Sequence, residues 1–414
     1  MSKNFVFISP TFPKTYYQFP KAWKALGGTS LCIGEDSYAS LSKEMKEACS
    51  EYYQVGSMKD YDQMYRAVAW FAHKHGKIDW LESNNEFWLE QDARLRTDFN
   101  ITSGDKTETV MRYKTKSNMK AYYKQADCPV ARYHLTTTLE EGKKFIEEVG
   151  YPVIVKPNDG VGASTTWKIS NEAELTAFYD KKLPMQFIME EFVPGYIVSF
   201  DGLTDQDGKI IFKTSHHFPE PIMNIVNSEG ECFYWSERVI PEDLDALGTR
   251  VISAFNIKGR FFHTEYFRLT QDKPGLGVKG GLVGLEVNMR PPGGYTPDMM
   301  NYANNIDIYK IYANMCMSNT NTYKSDRPYH CIYIGKRDKF SYKNNAASIF
   351  TKYSKDILMH DRMPQLLGEA MGNEFYISRF KTEEECMQFA SFVYEKAEPA
   401  PVAAVTAKPA MVKK

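Results

Sequence analysis

No apolar run in the 414 residues reaches the ~20 residues that a membrane-spanning helix needs. The opening stretch MSKNFVFISPTFP holds only a short apolar run before proline, so no signal-peptide core is expected there. Neither sign of charge is in excess. With 51 Lys and Arg against 52 Asp and Glu, the net charge is −1. Nothing in that balance favours a nucleic-acid or membrane partner. The seven cysteines, at positions 32, 49, 128, 232, 316, 331 and 386, include no Cys-x-x-Cys pair. That scatter argues against a zinc site or a disulfide framework and for reduced thiols in the cytoplasm. Internal repeats are also lacking. The composition that is present, 43% hydrophobic and 25% charged, is that of a soluble globular protein long enough for two to four units.

The chain is organised around Phe261 to Asp298, FFHTEYFRLTQDKPGLGVKGGLVGLEVNMRPPGGYTPD. Phe261 to Leu269 alternates apolar and polar residues, with Glu265 in the middle, and reads as a strand. Gln271 to Gly281 holds four Gly and one Pro and reads as a loop. Leu282 to Met289 is a second strand. Its Glu286 and Asn288 share a face, because strand side chains repeat every two residues. If the two strands pair, Glu265 joins them. Two carboxylates and an amide oxygen suit Mg²⁺ held beside phosphates. Arg290 follows and can meet charge on a transferring phosphoryl group. The plain alternative is a hairpin with solvated carboxylates.

A second stretch, YPVIVKPNDGVGAS from Tyr151 to Ser164, is an apolar strand ending in Lys156-Pro157 before a glycine-rich turn. Lys156 can reach a phosphate, and Gly160 and Gly162 let backbone N–H groups approach one. No Gly-Lys-Ser/Thr follows, so the turn is not a Walker A loop. A third stretch, QFIMEEFVPG from Gln186 to Gly195, is a strand running into a Pro-Gly turn.

These three stretches, in this order and spacing, resemble the ATP-grasp superfamily over roughly residues 106 to 325. The resemblance implies an α/β (α+β ATP-grasp) fold that binds ATP with one or two Mg²⁺, or Mn²⁺ in their place. It implies nucleotide lysines at Lys116 and Lys156. Asp159 to Ser164, with Gly160, Gly162 and Ser164, would be a flap over the phosphates. Glu190, Glu191, Phe192 and Val193 would be the hinge holding adenine through backbone groups. Glu265, Glu286 and Asn288 would be the metal ligands, and Arg290 the catalytic arginine. Only Lys116 of the basic stretch Lys106 to Gln125 has such a position behind it. Lys120 is expected on a solvated face, where Lys120→Ala would be close to neutral.

Around this core the expected units are a parallel-sheet domain at 1–105, ATP-grasp subdomains at 106–188 and 189–325, and a small α/β cap at 326–396. The Ala/Pro-rich tail 397–414 is expected to be disordered. In the cap, strands are expected near Ile332 and Phe375, with helices near Asp356 and over Thr382 to Lys396. Lys106 to Gln125 is expected to be helical throughout. At the end of an N-terminal strand, Glu82 to Glu86 could face substrate, although Ser83 and Asn84 could simply cap the next helix. Glu86, His217 and Gly294 are the candidate substrate contacts. His216 and His217 alternate across a strand, so at most one faces the site.

In the family, a carboxylate attacks the γ-phosphate to give an acylphosphate, which an amine then converts to an amide. The resemblance thus implies a carboxylate–amine ligase acting on small molecules, of amino-acid or dipeptide ligase type. Superfamily members are often dimers; the sequence leaves the oligomeric state open, with a homodimer as one outcome. Two rivals are a biotin-type carboxylase using bicarbonate and a non-catalytic ATP-binding module. No biotin site is read in the sequence, and a mere binding module has no need of Arg290.

Overall fold

The computed structural model describes residues 2–160, 166–181, 183, 185–221, 225–226, 228–321, 323–324 and 326–397. Gly162 and Ser164 of the expected flap lie outside the described residues, as does the tail from 398 onward.

The N-terminal sheet is parallel. It holds β1 (Asn4–Ile8), β2 (Thr29–Gly34), β3 (Glu51–Gln54) and β4 (Trp80–Glu82), in the order β3-β2-β1-β4. Alternation along β1 sorts its core. Phe5 and Phe7 pack with Phe19 and Trp23 of the helix Gln18–Ala25. Val6 and Ile8 pack with Met64, Val68 and Phe71 of the helix Tyr61–His75. A buried strand covered by a helix on each face is the expected outcome of alternating strands and helices. β3, EYYQ, has no apolar pattern of its own and forms by edge pairing to β2.

The second sheet is antiparallel, with β5 (Tyr133–Leu135), β6 (Val153–Pro157), β7 (Trp167–Ile169) and β8 (Phe187–Glu191) in the order β5-β8-β6-β7. It carries Lys156 and Glu190 on neighbouring strands.

The third sheet has eight strands. They are β9 (Gly195–Thr204), β10 (Ile210–Phe218), β11 (Cys232–Ser236), β12 (Phe261–Leu269), β13 (Leu282–Asn288), β14 (His330–Lys336), β15 (Ile357–Arg362) and β16 (Glu374–Phe380). Their order is β13-β12-β9-β10-β11-β14-β16-β15. The C-terminal strands therefore continue the sheet that carries Glu265 and Glu286, joined through pairing of β11 with β14. The helix expected near Asp356 ends earlier, at Ala346–Tyr353, and Ile357–Arg362 is an edge strand. Its register with β16, Met359 opposite Ile377 and Asp361 opposite Phe375, is a long-range pairing with no local signature.

The expected single helix over Lys106 to Gln125 is interrupted. A short helix Thr107–Val110 and a 3₁₀ turn Met111–Tyr113 precede the helix Lys116–Gln125. The break has a tertiary cause. Thr115 pairs with Asp159, and the Lys116 amide donates to Asn158 O at 2.9 Å. Backbone bonds to the turn after β6 replace those that would have continued the helix, and they set Lys116 beside that turn.

Candidate active site

β12 and β13 run antiparallel with Glu265 directly opposite Glu286, and His263 opposite Asn288. The helix Lys116–Gln125 is fastened over this pair by Tyr123. Its hydroxyl donates to Glu286 O at 2.8 Å, with Glu265 O at 3.3 Å. Gly284 makes this approach feasible, since a Cβ there would lie 2.6 Å from the Tyr123 ring. One turn of the helix separates Lys116 from Lys120, so both reach the same side.

The result is a cavity of about 870 Å³ between the two antiparallel sheets. Lys116, Lys156, Gly160, Glu190, Glu191, Phe192, Val193, Glu265, Glu286, Asn288, Arg290 and Gly294 all line it. Its volume lies toward the upper end of the ~300–1,000 Å³ typical of ligand sites. Lys116 Nζ donates to Gly160 O at 3.2 Å and lies 3.6 Å from Glu286 Oε1. Lys156 Nζ lies 2.7 Å from Glu190 Oε2.

The expectation for Lys120 is overturned. It is 3% exposed, lines the cavity, and lies 2.6 Å from Glu190 Oε1. That contact is an ion pair without the alignment of a hydrogen bond. Burial disfavours a charged Glu190, but Lys120 and Lys156 outweigh it and hold its carboxyl down to about 2. Glu190 is thus a buried bridge between two lysines. Glu191 is bound through its carboxylate by Arg132, at 3.0 Å from Nε and 2.7 Å from Nη2. Phe192 and Val193 follow the end of β8, outside the ladder.

Glu265, Glu286 and Asn288 offer oxygen atoms only. Among the described residues, no cluster of three His, Cys, Asp or Glu suits a metal. The two carboxylates stand directly opposite each other on paired strands, with Asn288 two residues on. Like charges directly opposite on paired strands repel. A hard divalent cation would relieve that repulsion, so the donor set fits Mg²⁺.

Glu265 has a further partner, legible only in part from sequence. His263 Nε2 lies 3.0 Å from Glu265 Oε1, and its Nδ1 lies 2.5 Å from Asp201 Oδ1. Asp201 Oδ2 is 2.6 Å from His216 Nδ1. Burial disfavours a charged His263, but Asp201 and Glu265 outweigh it and push its pKa up to about 9. Burial also disfavours a charged Asp201, which the imidazoles nevertheless hold down to about 2. The spacing of His263 two residues before Glu265 could have placed it on the same face. Nothing local marks Asp201 or Tyr123.

Arg290 lines the cavity half-buried, with Nη1 donating to Pro291 O at 2.8 Å. That bond occupies one of its five N–H donors.

Two candidate substrate residues are not brought to the cavity wall. His217 is sandwiched between Tyr196 and Trp235, with ring centroids 4.5 and 4.3 Å away. Its neighbour His216 takes the opposite face toward Asp201, as alternation requires. Neither histidine lines the cavity. Glu86 is buried behind the wall, where burial pushes its pKa up against the opposing charge of Arg290. The capping alternative for Glu82 to Glu86 shifts by one residue, since Asn85 Oδ1 accepts from the Phe87 amide. Ser83 instead donates to Asp92 at 2.6 Å, and Glu82 is held by Arg96 at 2.8 Å.

Comparison with known proteins bears on this arrangement. The ATP-grasp domain family matches residues 112–259. The chain is 26% identical over 251 residues to an L-arginine-specific L-amino acid ligase of Bacillus subtilis, covering 58% of each protein. It is 25% identical over 164 residues to the N-terminal section of the carbamoyl phosphate synthase large chain of Methanopyrus kandleri, covering 38% of this chain and 29% of that one. The chain thus matches less than two thirds of the length of either relative. Among solved structures, the L-amino acid ligase from Bacillus licheniformis superposes with a TM-score of 0.72 at 16% identity, covering 95% of this chain and 97% of that one. At that identity the likeness speaks to fold, and it extends past residue 259 to the strands of Glu265 and Glu286. The chain carries an ATP-grasp domain at residues 112–259 and, over nearly its whole length, has the fold of that ligase structure.

Proposed function

We propose that the protein is an ATP-dependent ligase that joins a small carboxylate to an amine and releases ADP and phosphate. The observation that carries this reading is a single cavity lined by three lysines, Lys116, Lys120 and Lys156, and by Glu265, Glu286, Asn288 and Arg290. Lys116 and Lys156 would neutralise phosphate oxygens, and Lys120 would hold Glu190 and Lys156 in place. The carboxylate of the first substrate attacks the γ-phosphorus as the bond to the ADP oxygen breaks, giving an acylphosphate. The amine then attacks the acyl carbon, loses a proton, and expels phosphate. Arg290 would meet the charge that develops on the transferring group and on the tetrahedral oxyanion. Mg²⁺ held by Glu265, Glu286 and Asn288 would supply neutralisation of phosphate charge, as is general in phosphoryl transfer.

An amino-acid or dipeptide ligase is the finer form of this proposal, supported by the relative from Bacillus subtilis. A cytoplasmic setting belongs to the same proposal, supported by seven cysteines that are all free and buried. Among the described residues no helix is long and apolar enough to cross a membrane.

The test is an ADP-release screen over carboxylate and amine pairs with mass spectrometry of the product. ADP release that requires both partners and yields an amide supports the ligase. Release driven by bicarbonate alone would replace it with a carboxylase, and no release with any pair would remove catalysis from the reading.

A further inference from the structure

The cavity lining also holds an apolar lobe. Four residues after Arg290, Gly294 lines the cavity together with Phe218, Tyr234, Leu367, Ala370 and Met371, and the last five of these pack in one hydrophobic cluster. A four-residue link spans at most about 14 Å, so this lobe lies within reach of the Arg290 guanidinium.

The lobe is built from three separated segments that the sheet draws together. Phe218 ends β10 and Tyr234 lies in β11, and their rings stack at 4.8 Å. The Tyr234 hydroxyl is engaged by Thr296 Oγ1 at 2.9 Å, so the face it helps form is apolar. The third segment is the helix Gln365–Met371. Arg337 holds its end in place, with Nη1 donating to Gly368 O at 2.5 Å and Nη2 to Glu369 O at 2.6 Å. The same guanidinium donates from Nε to Gly230 O at 2.8 Å, which ties the helix to the start of β11. Gly294 closes the lobe against Met371. Its φ is +66°, and a Cβ there would lie 2.5 Å from Met371 Cε. Cys232, also in the wall, stays a neutral thiol because burial pushes its pKa up to about 12. Glu220, the acidic residue on this side, is exposed at the rim.

We propose that this lobe seats an uncharged aliphatic or aromatic side group of one of the two substrates and so selects for such molecules over acidic and basic ones. The inference rests on the ligase reading and adds a substrate class to it. A charged side group entering the lobe would leave water for a wall of apolar side chains, whereas an apolar one gains by leaving water. A hydrophobic pocket discriminates by roughly 10- to 200-fold per methylene, so the preference should be graded by size.

The experiment has two arms. In the first, L-leucine, L-phenylalanine, L-aspartate and L-arginine are titrated by calorimetry into the full chain saturated with Mg²⁺ and a non-hydrolysable ATP analogue. In the second, the same four are offered pairwise with ATP and ADP release is followed. Leucine or phenylalanine should bind, and should give a kcat/KM at least tenfold above aspartate and arginine. Ala370→Trp fills the lobe and should weaken binding of the apolar amino acid at least tenfold. Leu367→Asp places a carboxylate there and should do the same while improving relative use of arginine. Thermal melts show which of the two variants remains folded. Charged amino acids used as well as apolar ones would overturn the inference, as would unchanged apolar binding in the folded variants. Failure of the ligase reading has a different signature, namely no ADP in the second arm. Selective apolar binding in the first arm, lost in Ala370→Trp, would support the lobe even then, and its absence would overturn it.

Discussion

Lys120 Nζ lies 2.6 Å from Glu190 Oε1 inside the wall of the candidate nucleotide site, although the two residues are far apart in sequence and lie on different elements. Lys156 takes the other carboxylate oxygen at 2.7 Å. Replacing Lys120 by Ala leaves a buried carboxylate with one partner in place of two. Breaking a buried pair from one side typically costs ~3–5 kcal/mol, and the remaining Lys156 puts the expected loss near the lower value. Lys120→Ala should therefore melt lower and bind Mg-ATP at least tenfold more weakly. Calorimetry and thermal melts check this, and wild-type affinity with wild-type melting would show that the pair is incidental.

Glu286 faces Glu265 across the strands. Glu286→Gln should remove a ligand charge, nearly abolish turnover and raise the Mg²⁺ concentration for half-maximal activity. In the presence of a chelator its stability should change by less than about 1 kcal/mol, because relief of the opposed charges offsets the lost contact to Lys116. An Mg²⁺ titration of activity, with melts in chelator, separates these effects. Wild-type activity at limiting Mg²⁺ would move the metal elsewhere.

Arg290 should appear in the rate more than in binding. Loss of one preorganised donor costs ~10² to 10³ in kcat. Arg290→Ala should bind Mg-ATP nearly as well as wild type, yet yield little hydroxamate when the acylphosphate is trapped with hydroxylamine. Arg290→Lys should recover only part of the rate, since a point charge lacks the planar fork. The bond to Pro291 O gives the opposing account, a brace for the turn. Melting losses that match the activity losses would favour the brace.

Asp298 supplies a pH signature away from the strands of Glu265 and Glu286. Burial pushes its carboxyl up to about 6 from 3.8, against hydrogen bonds from Thr15, Tyr309 and Gln18. A raised folded pKa means the folded state binds the proton more tightly. That stability is fully present below about 3.8 and is lost as pH rises through about 6. A shift of about two units corresponds to ~3 kcal/mol at most. Relative to Asp298→Asn, the wild-type protein should lose stability between pH 4 and 7. Denaturant melts over that range check the slope, and parallel curves for the two proteins would contradict it.

Much of this site follows from patterns a few residues long. Glu286 and Asn288 share a face because strand side chains alternate, and the glycine-rich segments around Gly160 and Gly277 read as turns. The N-terminal alternation of strands and helices dictates a parallel sheet. These features depend on local geometry, so the order of residues carries them. Lys120, by contrast, looks like any lysine on a basic helix, and only burial against β8 gives it a role. His217 looked like the better histidine of its pair, and stacking against Tyr196 and Trp235 took it out of the cavity.

The sequence by itself determined the donors, their spacing along each strand, and the alternation of elements that makes the fold. Tertiary structure alone decided that the helix near Lys116 breaks at Thr115, that the C-terminal strands extend the central sheet, and that Met371 lies against Gly294. Each of these rests on pairing or packing between residues tens to hundreds of positions apart. A periodicity of two or of 3.6 says which face a side chain occupies, but not which distant surface will cover that face.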